Sequence, residues 1–440
     1  MENDVNDHAA TTQAGTGAGR PVPRAAFVPV ITGLGICAPN GLGTDAYWAA
    51  TLRGESGLER ITRFDPSGYS AVIAGQVDLD PGRHLPSRLL PQTDHMTRLA
   101  LITAQYALAD AGADPKTMPD FAAGVITAAS GGGFEFGQRE LEALWSRGSQ
   151  YVSAYQSFAW FYPVNTGQIS IRHGMRGPGG ALVSEQAGGL DTVGKARRHL
   201  RDGTSLMMAG GVDGSLCPWS WLCMIRSGRV STATDPRAAY LPFDAGARGH
   251  SPGEGGAYLI LETPEHAAER GARSYGEVSG YAATFDPRPG SGRPPGLRRA
   301  IEHALAEAGL EPGDVDVVFA DAAGLPELDR AEAETLSAVF GPRGVPVTAP
   351  KTMTGRLLGG GSALDLATAV LALRDGVIPP TVNVSRPAYE DLDLVLDTPR
   401  HAPLRRALVV ARGHGGFNSA MVVTGPPNPS RRQEQREGIG

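Results

Sequence analysis

One short segment, residues 180–191, combines the residue types and the turn that acyl-transfer chemistry requires. An apolar run ending at Val183 predicts a buried strand, residues 184–186 predict a sharp turn, and small residues then open a helix. A strand, a tight turn and a helix N-terminus place one side chain where free backbone N–H groups favour a thiolate or a developing oxyanion. The segment therefore predicts a nucleophile elbow.

The residue at the tip of this elbow is Gln186, which cannot act as the nucleophile that the geometry would present. A carboxamide is not a nucleophile and cannot carry a thioester. Two interpretations are open. The amide could assist a decarboxylation by holding a thioester carbonyl while negative charge builds, or it could be a filler that hydrogen-bonds its neighbours. In either case the segment predicts a scaffold built for acyl transfer in which the nucleophilic residue has been replaced.

Composition and charge restrict the classes of partner and compartment. The chain has 440 residues, enough for two or three domain-sized cores or one large duplicated unit. A formal net charge of −6 argues against nucleic acid or a membrane surface as the main partner. The three cysteines are too few and too scattered for a disulfide framework or a zinc site, which predicts a reduced, cytoplasmic setting. The sequence contains no apolar run long enough to predict a membrane span.

Strands and helices alternate in two successive halves that must position the elbow. The first half, residues 28–273, contains predicted strands over 28–35, 121–128 and 205–212 and predicted helices over 94–112 and 134–145. The second half, residues 274–425, contains predicted strands over 275–284, 315–320, 405–412 and 419–424 and predicted helices over 298–308, 331–339 and 362–374. This alternation predicts an α/β fold of mostly parallel sheets covered by helices. Residues 1–27 and 426–440 are predicted to be a disordered leader and tail.

Five stretches together resemble the β-ketoacyl synthases of the thiolase superfamily. They lie in the family's order across residues 28–425: Val-Ile-Thr-Gly-Leu-Gly at 30–35, the elbow, Pro-Phe-Asp at 242–244 with Gly-Glu-Gly-Gly at 253–256, Lys-Thr-Met-Thr-Gly at 351–355, and the glycine-rich run at 413–418. Each stretch alone is weak, but all five in order are specific. The resemblance implies a thiolase-like, duplicated αβαβα layered fold with mixed, mostly parallel five-stranded sheets.

A synthase of this family needs an elbow cysteine and two histidines that stabilise the enolate formed by decarboxylation. The resemblance places these three positions on Gln186, Asp321 and Arg356, and leaves Lys351 as the retained residue. A carboxylate cannot replace a neutral imidazole donor, and a guanidinium is a fixed cation near neutral pH. The chain alone is therefore not expected to condense acyl units, and the filler interpretation of Gln186 is preferred. Asp321 and Arg356 either form a buried ion pair that closes the pocket or find separate partners.

The elbow Ser-Glu-Gln-Ala-Gly-Gly-Leu-Asp and residues 134–140 and 157–178 resemble one subfamily, the chain length factors or ketosynthase β subunits of type II aromatic polyketide synthases. That resemblance implies a heterodimer with an active ketosynthase α subunit and a poly-β-ketone that grows in a tunnel at the subunit interface. An acyl carrier protein would deliver malonyl units on its phosphopantetheine, so no cofactor and no metal is expected to bind this chain directly.

One helix carries the length prediction. Phe134, Gly137 and Leu141 are spaced i, i+3, i+7 and share a face, which in the family lines the end of the tunnel. Because Gly137 has no side chain and Leu141 is not aromatic, the floor should be deep and the product long, a decaketide or beyond. The aromatic run at 158–162 is assigned to the core or a dimer interface rather than to the substrate wall.

Three functional hypotheses follow from the sequence. The first is a non-condensing subunit that sets polyketide length. The second is a glutamine-type malonyl decarboxylase that supplies the acetyl starter on its own. The third is a scaffold that only stabilises the ketosynthase, in which case mutations on the tunnel face would change yield and never product length.

Overall fold

The computed structural model describes residues 27–288 and 290–426. The predicted leader and tail lie outside this part of the chain, except for Phe27 and Pro426 at its two ends, and Phe27 packs against the central core. Among the described residues, no helix is both long and apolar enough to cross a membrane.

The helices number eleven within the described residues: α1 Thr44–Leu52, α2 His95–Ala111, α3 Phe134–Arg147, α4 Gln156–Ala159, α5 Val164–His173, α6 Gly188–Arg201, α7 Pro218–Arg226, α8 Pro264–Glu269, α9 Leu297–Ala308, α10 Pro326–Phe340 and α11 Gly361–Asp375. The strands of the first half are β1 Val30–Ala38, β2 Gly41–Leu42, β3 Leu58–Arg60, β4 Ile73–Gly75, β5 Ala123–Ala128, β6 Gly179–Leu182, β7 Leu206–Asp213 and β8 Gly255–Glu262. Those of the second half are β9 Gly276–Phe285, β10 Val317–Phe319, β11 Pro346–Thr348, β12 Val377–Ile378, β13 Asp393–Leu394, β14 Arg400–His401, β15 Arg406–Gly413 and β16 Phe417–Thr424.

The two halves repeat one strand order. The first half runs β6-β5-β7-β8-β1 across its sheet, and the second runs β11-β10-β15-β16-β9. If the five main strands of each half are numbered 1 to 5 in chain order, the order across each sheet is 3-2-4-5-1. The first three strands of each order are parallel and the last two pairings are antiparallel. This repetition confirms the predicted duplicated α/β fold with mixed sheets. The expectation of mostly parallel strands is wrong, because the main strands of each half make two parallel and two antiparallel pairings.

The five-stranded sheets of the two halves join into one continuous sheet. Val30 and Ile31 of β1 pair with Glu277 and Gly276 of β9, so hydrogen bonding continues from one half into the other. The start of β1 is flanked by β8 on one side and leaves its other edge free to accept β9. The predicted boundary at residues 273/274 falls between α8 and β9 and, as a domain boundary, stays a prediction.

Five layers follow from how the helices pack. Helix α11 has thirteen of its fifteen residues buried, so it has no polar face and must lie inside the molecule. It packs against β8 of one half, β15 of the other, and α6. Helices α2 and α5 cover the outer face of the first half, and α9 with α10 covers that of the second. The N-termini of α6 and α11 therefore meet in the central layer, where the elbow lies.

Candidate functional site

The predicted elbow is present. Strand β6 ends at Leu182, a single turn of 3-10 helix spans Glu185–Ala187, and α6 begins at Gly188. Glu185 adopts a φ of +48°, a left-handed conformation that costs energy for a residue with a side chain. Its carboxylate accepts a hydrogen bond of 2.7 Å from the backbone N–H of His414. The strained turn is thus held by the glycine-rich run at 413–418.

The Gln186 carboxamide is enclosed and unpaired. The side chain is fully buried, and within the described residues neither Nε2 nor Oε1 has a hydrogen-bond partner. Gly361, the first residue of α11, lies so close that a Cβ atom on it would be 2.1 Å from Nε2. The hydrogen bonds that the filler interpretation predicted are absent among the described residues, so that part of it is wrong, whereas the role of a filler stays a prediction. Packing against α11 holds the amide, at the cost of two unsatisfied polar atoms.

Asp321 and Arg356 form the buried ion pair that was one of the two predicted alternatives. Arg356 Nη2 and Nη1 lie 3.1 and 3.2 Å from Asp321 Oδ1 and Oδ2, a bidentate arrangement. The guanidinium also donates to the carbonyl oxygens of Asp321, at 2.9 Å, and Arg412, at 3.1 Å. Burial alone would raise the pKa of Asp321, but the Arg356 and Lys351 cations outweigh it and hold that pKa below its usual range.

Lys351 binds the backbone of the loop that carries Asp321. Its ammonium donates to the carbonyl oxygens of Ala320, at 2.7 Å, and Asp321, at 3.1 Å, and pairs with Asp365 Oδ2 at 2.7 Å. All these groups are buried. The carbonyl oxygen of Asp321 therefore accepts from both cations, which fixes the backbone of the loop after β10.

Two further carboxylates, not identified from the sequence, complete the network. On α10, Glu332 accepts from the backbone N–H groups of Asp321, at 2.7 Å, and Ala322, at 2.8 Å. Asp329 accepts from those of Gly324 and Phe243, both at 2.9 Å. Burial raises the pKa of each to about 7. No sequence pattern indicated these contacts, because they join α10 to loops that precede it in the chain.

The space left above the ion pair is small. A cavity of about 90 Å³ is lined by both members of the pair together with His250, Arg229 and Arg412. Burial, with the neighbouring Arg356, lowers the pKa of His250 to about 3, so its imidazole is neutral. This volume suits a few water molecules and is too small for an acyl thioester. Among the described residues, the tip of the elbow carries no nucleophile.

Helix α3 brings Phe134, Gly137 and Leu141 to one side of the molecule, and α7 adds a residue that the spacing could not indicate. Trp219 stacks edge-on against Phe134, with 4.9 Å between ring centroids. A Cβ atom on Gly137 would lie 3.5 Å from Trp219 Cζ3. The backbone N–H of Trp219 donates to Gln138 Oε1 at 2.8 Å, which joins α7 to α3 across 81 residues of sequence. That this face lines a tunnel stays a prediction.

The aromatic run at 158–162 is not part of the core. Trp160, Phe161 and Tyr162 are exposed, and Trp160 shows 51 % of its surface. Trp145 of α3 and Leu222 of α7 are exposed beside other large apolar side chains of the same helices. The core alternative is therefore wrong for these three residues, and the dimer-interface alternative remains.

The fold, the elbow and the position of the ion pair together define a class of protein. Residues 29–267 match the family model for the β-ketoacyl synthase N-terminal domain, and residues 275–385 match that for the C-terminal domain. The chain therefore belongs to the β-ketoacyl synthase family. It is 61 % identical, over 90 % of its length and 97 % of the relative's, to the tetracenomycin polyketide synthase ketoacyl synthase beta subunit of Streptomyces glaucescens. Within the family it is thus of the ketosynthase β, or chain length factor, type.

Other relatives agree with this placement. The chain is 60 % identical to the actinorhodin polyketide putative beta-ketoacyl synthase 2 of Streptomyces coelicolor, over 90 % of this chain and 98 % of that one. Among solved structures it is similar to the ishigamide ketosynthase/chain length factor, with a TM-score of 0.81, 28 % identity, and coverage of 92 % of this chain and all of the other. A second solved structure has the same TM-score of 0.81, with 25 % identity and coverage of 91 % of this chain and all of the other. It is a chain from a type II polyketide synthase acyl-carrier protein in complex with its ketosynthase.

Proposed function

We propose that this chain is the non-condensing subunit of a type II minimal polyketide synthase, and that it sets the length of a poly-β-ketone made by an active ketosynthase partner. The observation that carries this proposal is the buried Asp321–Arg356 pair beside Gln186. A condensing enzyme needs a nucleophile and neutral imidazoles at these positions. Here they hold a carboxamide and an ion pair, so the chemistry must come from another subunit.

The exposed aromatic surface supports a heterodimer. Helices α3 and α7 and the segment around α4 expose a group of large apolar side chains, among them Trp145, Trp160, Phe161, Tyr162, Trp219 and Leu222. Contiguous exposed apolar residues mark interaction sites, and aromatic residues are enriched there. The partner we propose is a ketosynthase α subunit with its cysteine and histidines intact. An acyl carrier protein delivers malonyl groups on its phosphopantetheine, in the cytoplasm.

The length assignment rests on Gly137. The missing side chain leaves a recess on α3, and its nearest neighbours there lie at ordinary contact distance from where a Cβ atom would be. A methyl group would fit this recess, whereas an aromatic ring would have to extend into the space that we assign to the end of the tunnel. We therefore propose a long product, a decaketide or beyond.

The malonyl decarboxylase is the second candidate function, and one observation favours it. The two unpaired amide atoms of Gln186 could hydrogen-bond a thioester carbonyl. The complete burial of that side chain and the small cavity beside the ion pair weigh against it.

Carbon dioxide release distinguishes the two functions. Incubated with malonyl-loaded acyl carrier protein, the isolated chain is expected to release no carbon dioxide above background and to take up no acyl group, while the heterodimer with its ketosynthase makes polyketide. Rapid release by the isolated chain, abolished by Gln186→Ala, would establish the decarboxylase instead.

Product length tests the tunnel. In the reconstituted heterodimer, Gly137→Phe is expected to shorten the main product by at least one two-carbon unit, measured by mass spectrometry. Gly137→Ala is the matched control and should keep the wild-type length because its methyl group makes only ordinary contacts. An unchanged length with Gly137→Phe, at normal heterodimer yield, would leave the scaffold hypothesis standing in place of this one.

A further inference from the structure

The recess beside Gly137 has a polar wall. A Cβ atom on Gly137 would lie 3.5 Å from Trp219 Cζ3, 3.7 Å from Trp160 Cβ and 4.0 Å from Gln156 Nε2. We call this space the Gly137 notch. Trp219 contributes the edge of its indole ring, Trp160 its Cβ atom and Gln156 its carboxamide nitrogen, so the notch combines apolar surface with one hydrogen-bonding group.

The oxygen end of the Gln156 carboxamide is available for a further hydrogen bond. Its Oε1 is buried and has no hydrogen-bond partner among the described residues. Buried amide atoms are nearly always paired, and an unpaired one raises the question of what pairs it when the protein works. The carboxamide can also turn about its Cγ–Cδ bond, which exchanges its N–H₂ and oxygen ends with little change of shape.

The position of Gln156 is fixed at both ends of its segment. Upstream, the backbone N–H of Ser153 donates to Glu140 Oε2 of α3 at 2.7 Å, and that of Gln156 donates to the Ser153 oxygen at 3.0 Å. Downstream, the backbone N–H of Gly133, the residue before α3, donates to the Trp160 oxygen at 3.0 Å. The carboxamide is therefore held against α3 by contacts that do not involve its own polar atoms.

We propose that the Gln156 carboxamide binds an oxygen of the growing poly-β-ketone at the Gly137 notch and so positions the far end of the chain. This proposal rests on the proposed function. A poly-β-ketone carries a carbonyl on every second carbon, and its enol form adds a hydroxyl. The amide N–H donates to the ketone oxygen, and Oε1 accepts from an enol hydroxyl.

The same contact selects the class of chain that is held there. A reduced, hydrocarbon-like acyl chain would leave the carboxamide unpaired, and sites built to hydrogen-bond a ligand reject analogues that lack the matching group. Gln156 is thus a positioning residue for a ketone-bearing chain, and the Trp219 ring edge contacts the carbon skeleton between its oxygens.

The test is Gln156→Leu in the reconstituted heterodimer with malonyl-loaded acyl carrier protein. Leucine keeps the approximate volume and removes both hydrogen-bonding groups. The longest product is expected to fall about 3- to 10-fold as a fraction of all products, the range that corresponds to one lost hydrogen bond, and shorter chains should rise. Heterodimer yield and the thermal unfolding midpoint should stay at wild-type values. Gln150→Leu, an exposed glutamine nearby, is the control and should change nothing.

Gly137→Phe, measured in parallel, separates the possible failures. A wild-type length distribution with Gln156→Leu, while Gly137→Phe shortens the product, would overturn the role of Gln156 and leave the tunnel assignment intact. Wild-type lengths with both variants would overturn the tunnel assignment and the role of Gln156 with it. If Gln156→Leu lowers heterodimer yield, Gln156→Met in the purified heterodimer provides the same comparison with a more flexible side chain, and its length distribution decides.

Discussion

At the scale of single residues, Asp321 and Arg356 convert a reactive site into a structural one. Each is buried, each is the other's principal charge partner, and each also bonds backbone groups of the loop after β10 or of Arg412. Removing one partner of a buried pair leaves an uncompensated charge, which is far more costly than the pair itself is favourable. The pair therefore fixes the closed form of the pocket.

Asp321→Asn is expected to destabilise the protein by about 3–5 kcal/mol, because it leaves the Arg356 guanidinium buried without its counter-charge. Chemical denaturation monitored by circular dichroism measures this loss. Glu55→Gln, which breaks an exposed pair with Arg53, is the control and should leave the denaturation midpoint unchanged. Equal midpoints for Asp321→Asn and wild type would contradict the structural role of the pair.

The identities of these residues were predictable from sequence, and their surroundings were not. The positions of Gln186, Asp321 and Arg356 can be read from the sequence, because each has a fixed place within or next to a family motif. The support from Glu332 and the wall supplied by Trp219 depend on tertiary packing between segments that no local period connects. The hydrogen-bonded interpretation of Gln186 was wrong for the same reason: only the structure reveals that Gly361 occupies its vicinity.

At the scale of elements, the start of α11 is fitted to the elbow. Gly361 has ordinary helical geometry, so its lack of a side chain is not required by the backbone. A Cβ atom there would lie 2.1, 2.5 and 2.6 Å from Nε2, Oε1 and Cδ of Gln186. Because Gln186 is fully buried, it has no room to withdraw. The turn that leads into α6 therefore fits against the start of α11 through this glycine and carboxamide, and α6 itself contacts α11 through the hydrogen bond from the Leu190 N–H to Ser362 Oγ at 3.2 Å.

Gly361→Ala is expected to destabilise the protein by about 1–3 kcal/mol through overpacking, although alanine favours a helix over glycine by roughly 1 kcal/mol. Gln186→Ala in the same chain should remove the clash and let the helix preference appear, so that the double variant is more stable than Gly361→Ala alone. Thermal unfolding of the two single variants and the double variant tests this coupling. Additive effects would contradict it.

The long elements were the predictable ones. The helix predicted over 94–112 is α2, His95–Ala111, and the one over 134–145 is α3, Phe134–Arg147, because each has a clear apolar face. Helices α4 and α5 lie in the aromatic segment that carried no helix prediction, since its apolar residues face outward as well as inward and so lack a clean period. The joining of the two sheets depends on only two residue pairs and leaves no local signal.

At the scale of the whole molecule, buried acids and imidazoles set how stability varies with pH. Burial raises the pKa of Asp329 and Glu332 to about 7, above their unfolded values of 3.8 and 4.5. The folded state then binds more protons than the unfolded one, so stability falls as pH rises through 7. Burial lowers the pKa values of His173 and His250 to about 4 and 3, below the unfolded value of 6.5. These two residues therefore make stability rise with pH, and they do so only below about pH 6.5.

Stability is therefore expected to decline between pH 6.5 and 8, by at most about 1.4 kcal/mol per pH unit for each of the two acids. Denaturation midpoints measured across this range test the slope. Glu332→Gln should flatten it, although the variant is less stable throughout because its amide cannot accept both backbone N–H groups. An unchanged slope in that variant would show that Glu332 does not titrate in this range.

Strand β6, which leads into the elbow, lies at the end of the sheet and within the described residues bonds to β5 on one side only. Its other edge pairs with no strand of the described residues, and Ile171 and Val183 in this region expose 80 % and 50 % of their surface. An exposed sheet edge can pair with a strand of another molecule, including a second copy of this chain. This subunit is therefore expected to be recovered in lower yield when it is made in excess over its ketosynthase partner than when the two are made together.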